Sequence, residues 1–242
     1  MTDLAALPRR ARFRIVTWTS TRPRLYYGVR KLTRQTDRLC IRHDTDLVIE
    51  GYPRSANSTT VHQFLAMQDR PLHVAHHKHH AAQLLRAAAW GIPAVVLIRA
   101  PREASLSLLA LAAEARHRAG KPERGGLSFS DVLSAHVAFY EAVEPTLDHT
   151  VIGRFEVVRS DVPGLTMRVN ARFGRDFRTG GGSAERDDLG WHAMPNEIRT
   201  RIKNDLERRF EDVLNKSPSL RRLLARAEAV HARYEERDER AG

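Results

Sequence analysis

The chain of 242 residues carries 40 Lys or Arg against 29 Asp or Glu, a formal net charge of +11. That length is ample for a hydrophobic core without a staple, and the single cysteine, Cys40, excludes an internal disulfide. No apolar stretch approaches the ~20 residues of a membrane span, and the first residues lack the apolar run of a signal peptide, so a soluble, cytoplasmic protein is expected.

Residues 1–45 are basic and irregular and read as an N-terminal arm or edge segment, with RFRIVTW as a candidate strand. From Asp46 the pattern sharpens. LVIEGYP is a short apolar run ending in a turn signal, as in a buried parallel strand. The polar loop RSANSTT follows, then VHQFLAM in helical rhythm. HVAHH reads as a second strand and HAAQLLRAAAWG as a helix closed by Gly91. AVVLIRA is a third strand, and PREASLSLLALAAEARHRAG a helix with Pro101 in its first turn and Gly120 at its end.

Ser128 or Ser130 is placed to cap a further helix running to about Asp148, with a kink at Pro145. TVIGRFEVV reads as a fourth strand and DVPGLTMRVNARFG as a helix; a glycine-rich polar loop spans 179–190. Two charged helices close the chain, split at Ser217-Pro218. Strands alternating with helices predict an α/β fold with a mainly parallel central sheet flanked by helices. Residues 46–195 form its core and 196–242 are helices packed on it, in a single domain.

In such sheets ligands bind beyond the carboxyl ends of the strands, which singles out the loops at 53–60 and 99–107. In the first, Arg54, Ser55, Ala56, Asn57, Ser58 and Thr59 join a strand to a helix. Small residues let backbone N–H groups turn inward, the helix N-terminus adds partial positive charge, and Arg54 adds a full one. The loop is an anion cradle but not a Walker A loop, because Ala56-Asn57 replaces the terminal Gly-Lys.

These residues resemble the PAPS-dependent sulfotransferases, bacterial in type, whose 5′-phosphosulfate loop reads roughly Tyr-Pro-Lys/Arg-Ser-Gly-Thr/Asn-Thr; here it is YPRSANS. Arg54 stands where many members carry lysine, and Ala56 where most carry glycine. The family's 3′-phosphate motif, a strand-end arginine followed eight residues later by a serine, is matched by Arg99 and Ser107. The resemblance covers about Leu47 to Ser107. It implies a P-loop-like three-layer α/β fold. It also implies 3′-phosphoadenosine 5′-phosphosulfate (PAPS) as sulfuryl donor, 3′-phosphoadenosine 5′-phosphate (PAP) as product, and no metal.

The histidines His73, His76, His77, His79 and His80 crowd the end of the second strand. The resemblance implies a histidine base there, and the spacing back from Arg99 points to His77, with His79 second. If the segment stays extended, both face one side. Many members close a late basic loop over the nucleotide; here Arg178 and Arg186, flanking Gly180–Gly182, are the substitutes. The acceptor is left open between a small molecule, a carbohydrate and a lipid.

A P-loop-like nucleotide kinase is one alternative, but it needs a Walker lysine and an acidic magnesium ligand, and neither stands near these loops. A non-catalytic anion- or nucleic-acid-binding module is the other. Nucleic acid is not expected: aromatic content is 7%, with no aromatic-basic interleaving. The last helix sets Leu220, Leu223, Leu224, Ala227, Val230 and Tyr234 on one stripe. Packing on the domain is the first reading of that stripe; peripheral contact at the inner membrane face, or a homodimer, are the others.

Overall fold

A computed structural model describes residues 8–32, 38–122, 126–182 and 196–241. Four parallel strands make the sheet: β1 (Leu47–Gly51), β2 (Val74–His76), β3 (Ala94–Ile98) and β4 (Val151–Arg154), in spatial order β2-β1-β3-β4. Ile49 sits between His76 and Val95, and Val96 pairs with Ile152. Both faces are covered, which is why β3 reads as an unbroken apolar run and β1 as one interrupted only by the buried Glu50. Gly51 lets β1 approach β3 closely, since a Cβ there would lie 2.5 Å from the Leu97 carbonyl oxygen.

Alternation along the strands sorts side chains into two layers. Leu47, Ile49, Val95 and Leu97 face α3 (Asn57–Met67) and α8 (Val162–Phe173), packing on Val61, Phe64, Leu165 and Val169. Val48, Val96 and Ile98 face the other way, onto α4 (Ala81–Trp90), α6 (Phe129–Val143) and α10 (Pro218–Ala241). A third cluster joins α5 (Pro101–Arg118) and α6 to α9 (Glu197–Lys216) and α10 through Leu109, Leu133, Phe210 and Leu224. The architecture is therefore α/β, an all-parallel sheet flanked by helices.

Several local signals act as expected. Gly91 ends α4 at φ 67, and Ser128 and Asp131 form a reciprocal capping box at the start of α6. α6 stops at Val143, and Pro145 lies in a 3-10 segment, Glu144–His149. Leu220, Leu224, Ala227, Val230 and Tyr234 of α10 are buried and Leu223 is half-buried. The Tyr234 hydroxyl donates to the Tyr140 carbonyl at 2.6 Å. The apolar stripe of the last helix thus packs on the domain and is not offered to a membrane.

Two readings are corrected. RFRIVTW is not a strand but part of α1 (Arg9–Ser20), which α2 (Pro23–Leu32) follows. Phe13, Val16, Thr17 and Ser20 recur at helical spacing and are the more buried positions of α1, which packs on α6. The fourth strand is also shorter than TVIGRFEVV, because Phe155–Val158 turn into a short helix, α7. No helix among the described residues is long and apolar enough to cross a membrane.

Candidate functional site

The connection from β1 runs to β2 on one side, while β3 pairs on the other, so the chain diverges beyond the carboxyl ends of β1 and β3. A cleft of about 650 Å³ opens there, within the range that holds a nucleotide-sized ligand. Arg54, Arg99, Arg159, Arg199, Lys203, His77 and His79 line it, and among the described residues no carboxylate does, although Glu103 pairs with Lys203 at 3.1 Å and lies 3.9 Å from Arg99. The field inside therefore favours an anion.

The loop after β1 forms the floor. Ala56 precedes α3 with φ 69 and provides no side-chain cap. The first helical hydrogen bond is Thr60 N–H to the Ala56 carbonyl, 3.0 Å, leaving the Asn57, Ser58 and Thr59 N–H groups without acceptors inside the helix. With the helix dipole behind them these groups form an anion seat. Arg54, at φ 74, turns its guanidinium across the loop, and Nε donates to the Ser107 hydroxyl at 3.0 Å. Burial, with the Arg199 and Arg99 cations nearby, pushes Arg54 down to about 10, so it stays cationic at neutral pH.

Arg99 directly follows the last residue of β3 and donates from Nη1 to the Arg54 carbonyl at 2.9 Å. Its guanidinium lies 3.9 Å over the Phe155 ring. Arg54, Arg99 and Ser107 therefore form one connected unit, although 45 and 53 residues separate Arg54 from the other two. Ser55 departs from expectation. It is buried, with its hydroxyl 3.5 Å from that of Tyr140, so only its backbone can serve an anion. Asn57 is buried too; its Nδ2 donates to the Tyr52 carbonyl at 3.4 Å, and its Oδ1 has no partner.

The histidine segment forms the opposite wall. It does not stay extended: β2 ends at His76, and His77 and His79 have φ 56 and 55. Both still line the cleft. His77 Nε2 lies 2.9 Å from the Ser58 hydroxyl, and His77 Nδ1 meets Nδ1 of His76. His79 Nδ1 donates to the Gly51 carbonyl at 3.0 Å, which fixes the tautomer and leaves Nε2 as the acceptor. Burial lowers the His79 pKa, so that imidazole is neutral at pH 7.

The segment is held by Glu50, which is fully buried. Its carboxylate accepts from Lys78 N–H (2.8 Å), His79 N–H (2.9 Å) and Gln83 Nε2 (3.0 Å). Arg54, Ala56, His77 and His79 are the four non-glycine residues with positive φ among the described residues, and all four border this cleft. Left-handed backbone in such residues costs about 1–3 kcal/mol each and gathers at functional sites.

Arg178 is not brought to the cleft. It pairs with Asp69 at 3.1 Å, just past the far end of α3 from the anion seat. Arg186 and the rest of 183–195 lie outside the described residues. The cations that close the cleft come instead from α9, whose Arg199 and Lys203 belong to no motif in the sequence, and from Arg159. Arg199 is anchored by Glu114 (Nε to Oε2, 2.5 Å), and Lys203 by Glu103 (3.1 Å). Polar spacing on α9, Arg199 to Lys203 at i,i+4 beside the buried Ile202 and Leu206, was the available signal.

Among the described residues, no group of three or more His, Cys, Asp or Glu is arranged to hold a metal ion. No protein-family model, curated protein or solved structure matches the chain. The chemistry of the cleft therefore rests on its own geometry.

Proposed function

We propose that this chain is a PAPS-dependent sulfotransferase with the P-loop-like three-layer fold of that family, moving a sulfuryl group to an acceptor hydroxyl or amine. One observation carries the reading: two anion seats joined through the Arg54–Ser107 hydrogen bond face two imidazoles across one cleft that is lined by cations and by no carboxylate among the described residues. A donor bearing phosphosulfate at one end and a 3′-phosphate at the other needs two such seats. The residues present fit it. The uncapped N–H groups of Asn57, Ser58 and Thr59 suit the phosphosulfate, and Arg99 with Ser107 suits the 3′-phosphate.

His77 is assigned as the base. Its Nε2 already reaches the Ser58 hydroxyl on the phosphosulfate seat, and geometry ranks ahead of pKa in choosing a base. Ser58 can rotate toward the donor and release Nε2 to take the acceptor's proton. The acceptor's lone pair attacks sulfur as the bond from sulfur to the bridging oxygen breaks. That oxygen leaves with the bonding pair, and its charge is met by Arg54 and the N-terminus of α3. Arg54 offers a permanent cation and little as a proton donor, so the departing phosphate leaves as an anion.

The test compares PAP, ADP, and ATP with magnesium in thermal unfolding. At ~100 times its dissociation constant a ligand adds about 2.7 kcal/mol, roughly 5–10 °C for a chain of this size. A shift with PAP alone is expected. A shift with ATP and magnesium alone, or none with any nucleotide, would overturn the proposal.

A further inference from the structure

The N-terminal helices carry a surface that the cleft does not use. Between Pro8 and Leu32 there are eight Arg or Lys and no Asp or Glu. The inner side of this α1–α2 hairpin is fastened to the domain. Phe13 and Tyr27 pack on the core, Tyr26 is buried, and Arg10 and Arg14 hold Asp131 at 2.7 and 2.9 Å. The outer side exposes large apolar groups: Trp18 is 54% exposed, Leu25 46% and Leu32 79%, with Ile15 and Val29 at 39% and 43%.

Their spacing makes stripes. Ile15, Trp18 and Arg22 recur at i, i+3, i+7 along and just past α1, and Leu25, Val29 and Leu32 at i, i+4, i+7 on α2. Arg22 stacks on the Trp18 ring at 4.2 Å, so cation and aromatic ring sit together at the surface. Arg12, Arg24 and Lys31 are exposed and make no ion pair with any described residue.

We infer that this hairpin docks the protein on an anionic lipid bilayer surface, lying in the interface plane. A hairpin that exposes apolar groups and whose own charges are all cationic is complementary to such an interface, where acyl chains take the apolar groups and headgroup phosphates the cations. The acids beside Trp18, namely Asp131 and Glu141, belong to α6 and are paired with Arg10, Arg14 and Arg226. Trp and long arginine stems suit that boundary, one end apolar and the other wet. A nucleic acid would neutralise the cations but leave Leu25, Val29 and Leu32 in water. Asp131, which anchors α1, adjoins Val132, whose carbonyl accepts the hydroxyl of Tyr52 at the edge of the cleft loop at 2.9 Å. Docking would therefore hold the N-terminal end of α6 near the lipid. The inference stands on the hairpin alone and does not need the transfer reaction.

The experiment is flotation of the full chain with vesicles of phosphatidylcholine alone and with about one third phosphatidylglycerol, at ~0.1 M salt. Binding to the anionic vesicles only, weakened by added salt, is expected. Arg24→Glu with Lys31→Glu should reduce partitioning at least about tenfold, since each surface cation contributes to attraction. Trp18→Ser with Leu32→Ser should do so while leaving every cation in place. Circular dichroism and an unchanged thermal unfolding midpoint would show that both variants fold. Equal binding to neutral vesicles, no binding to anionic ones, or wild-type binding by either variant would overturn the inference. Salt-sensitive binding to duplex DNA without vesicle binding would overturn it in favour of a nucleic-acid surface.

Discussion

Glu50→Gln isolates a titration that the fold has placed beneath the histidine wall. Burial raises the Glu50 carboxyl from its ordinary 4.5 to about 7, even though Gln83 and the N–H groups of Lys78, His79 and Gly51 favour the ionised form. In the unfolded chain the group ionises near 4.5; in the folded protein it holds its proton until about 7. Stability from this site is therefore fully present below pH 4.5 and lost as pH rises toward 7. The gap corresponds to about 3 kcal/mol. Burial-lowered His79, His80, His136 and His231 push the other way, losing stability as pH falls below their unfolded value of 6.5. They are common to both proteins, so the difference between wild type and Glu50→Gln removes them. Urea denaturation from pH 4.5 to 8 should show the variant gaining about 2–3 kcal/mol on the wild type across that range. Parallel pH profiles would refute the reasoning, because they would mean that Glu50 titrates alike in both states.

His77→Ala should lower kcat by about 10²–10⁴ and spare PAP affinity, whereas His79→Ala should cost less; steady-state kinetics beside calorimetric PAP titration would separate them, and the reverse order would move the base to His79. Arg99→Ala removes a half-buried cation that also holds the Arg54 carbonyl, so PAP affinity should fall about 10- to 100-fold, as for loss of a charged hydrogen bond. Glu114→Ala takes from Arg199, 9% exposed, the carboxylate it holds at 2.5 Å; about 3–5 kcal/mol should be lost in chemical denaturation. Glu114→Leu paired with Arg199→Met should recover most of it.

The sheet was legible because its strands are buried on both faces, so AVVLIRA and LVIEG could hardly be anything else. Glycines and capping residues marked the ends of α4, α5 and α6 for equally local reasons. The N-terminal helices were not legible. Arg/aromatic alternation in RFRIVTW imitates a strand, and only packing on α6 and α4 decides otherwise. The same limit hid α9's part in the cleft. Arg199 is a site residue because Glu114, 85 residues away in the chain, holds it there. Arg178, beside the glycine-rich stretch, offers a closing cation by sequence alone, but in the fold it pairs with Asp69.

The strained backbone is the strongest argument that this cleft is functional rather than incidental. A sequence built only to fold would put glycine at positions 54, 56, 77 and 79, where φ is positive. Here an arginine, an alanine and two histidines occupy them, and the surroundings hold each wall. The Arg54 carbonyl is clamped by Arg99, and the peptides of Lys78 and His79 by Glu50. At positions 54, 77 and 79 the side chains that glycine would remove are the ones that face the cleft. The methyl of Ala56 has no such use, so relief by Ala56→Gly carries no functional penalty in this reading. Strain retained where the side chain has chemistry to perform is what distinguishes a site under constraint from an irregular loop.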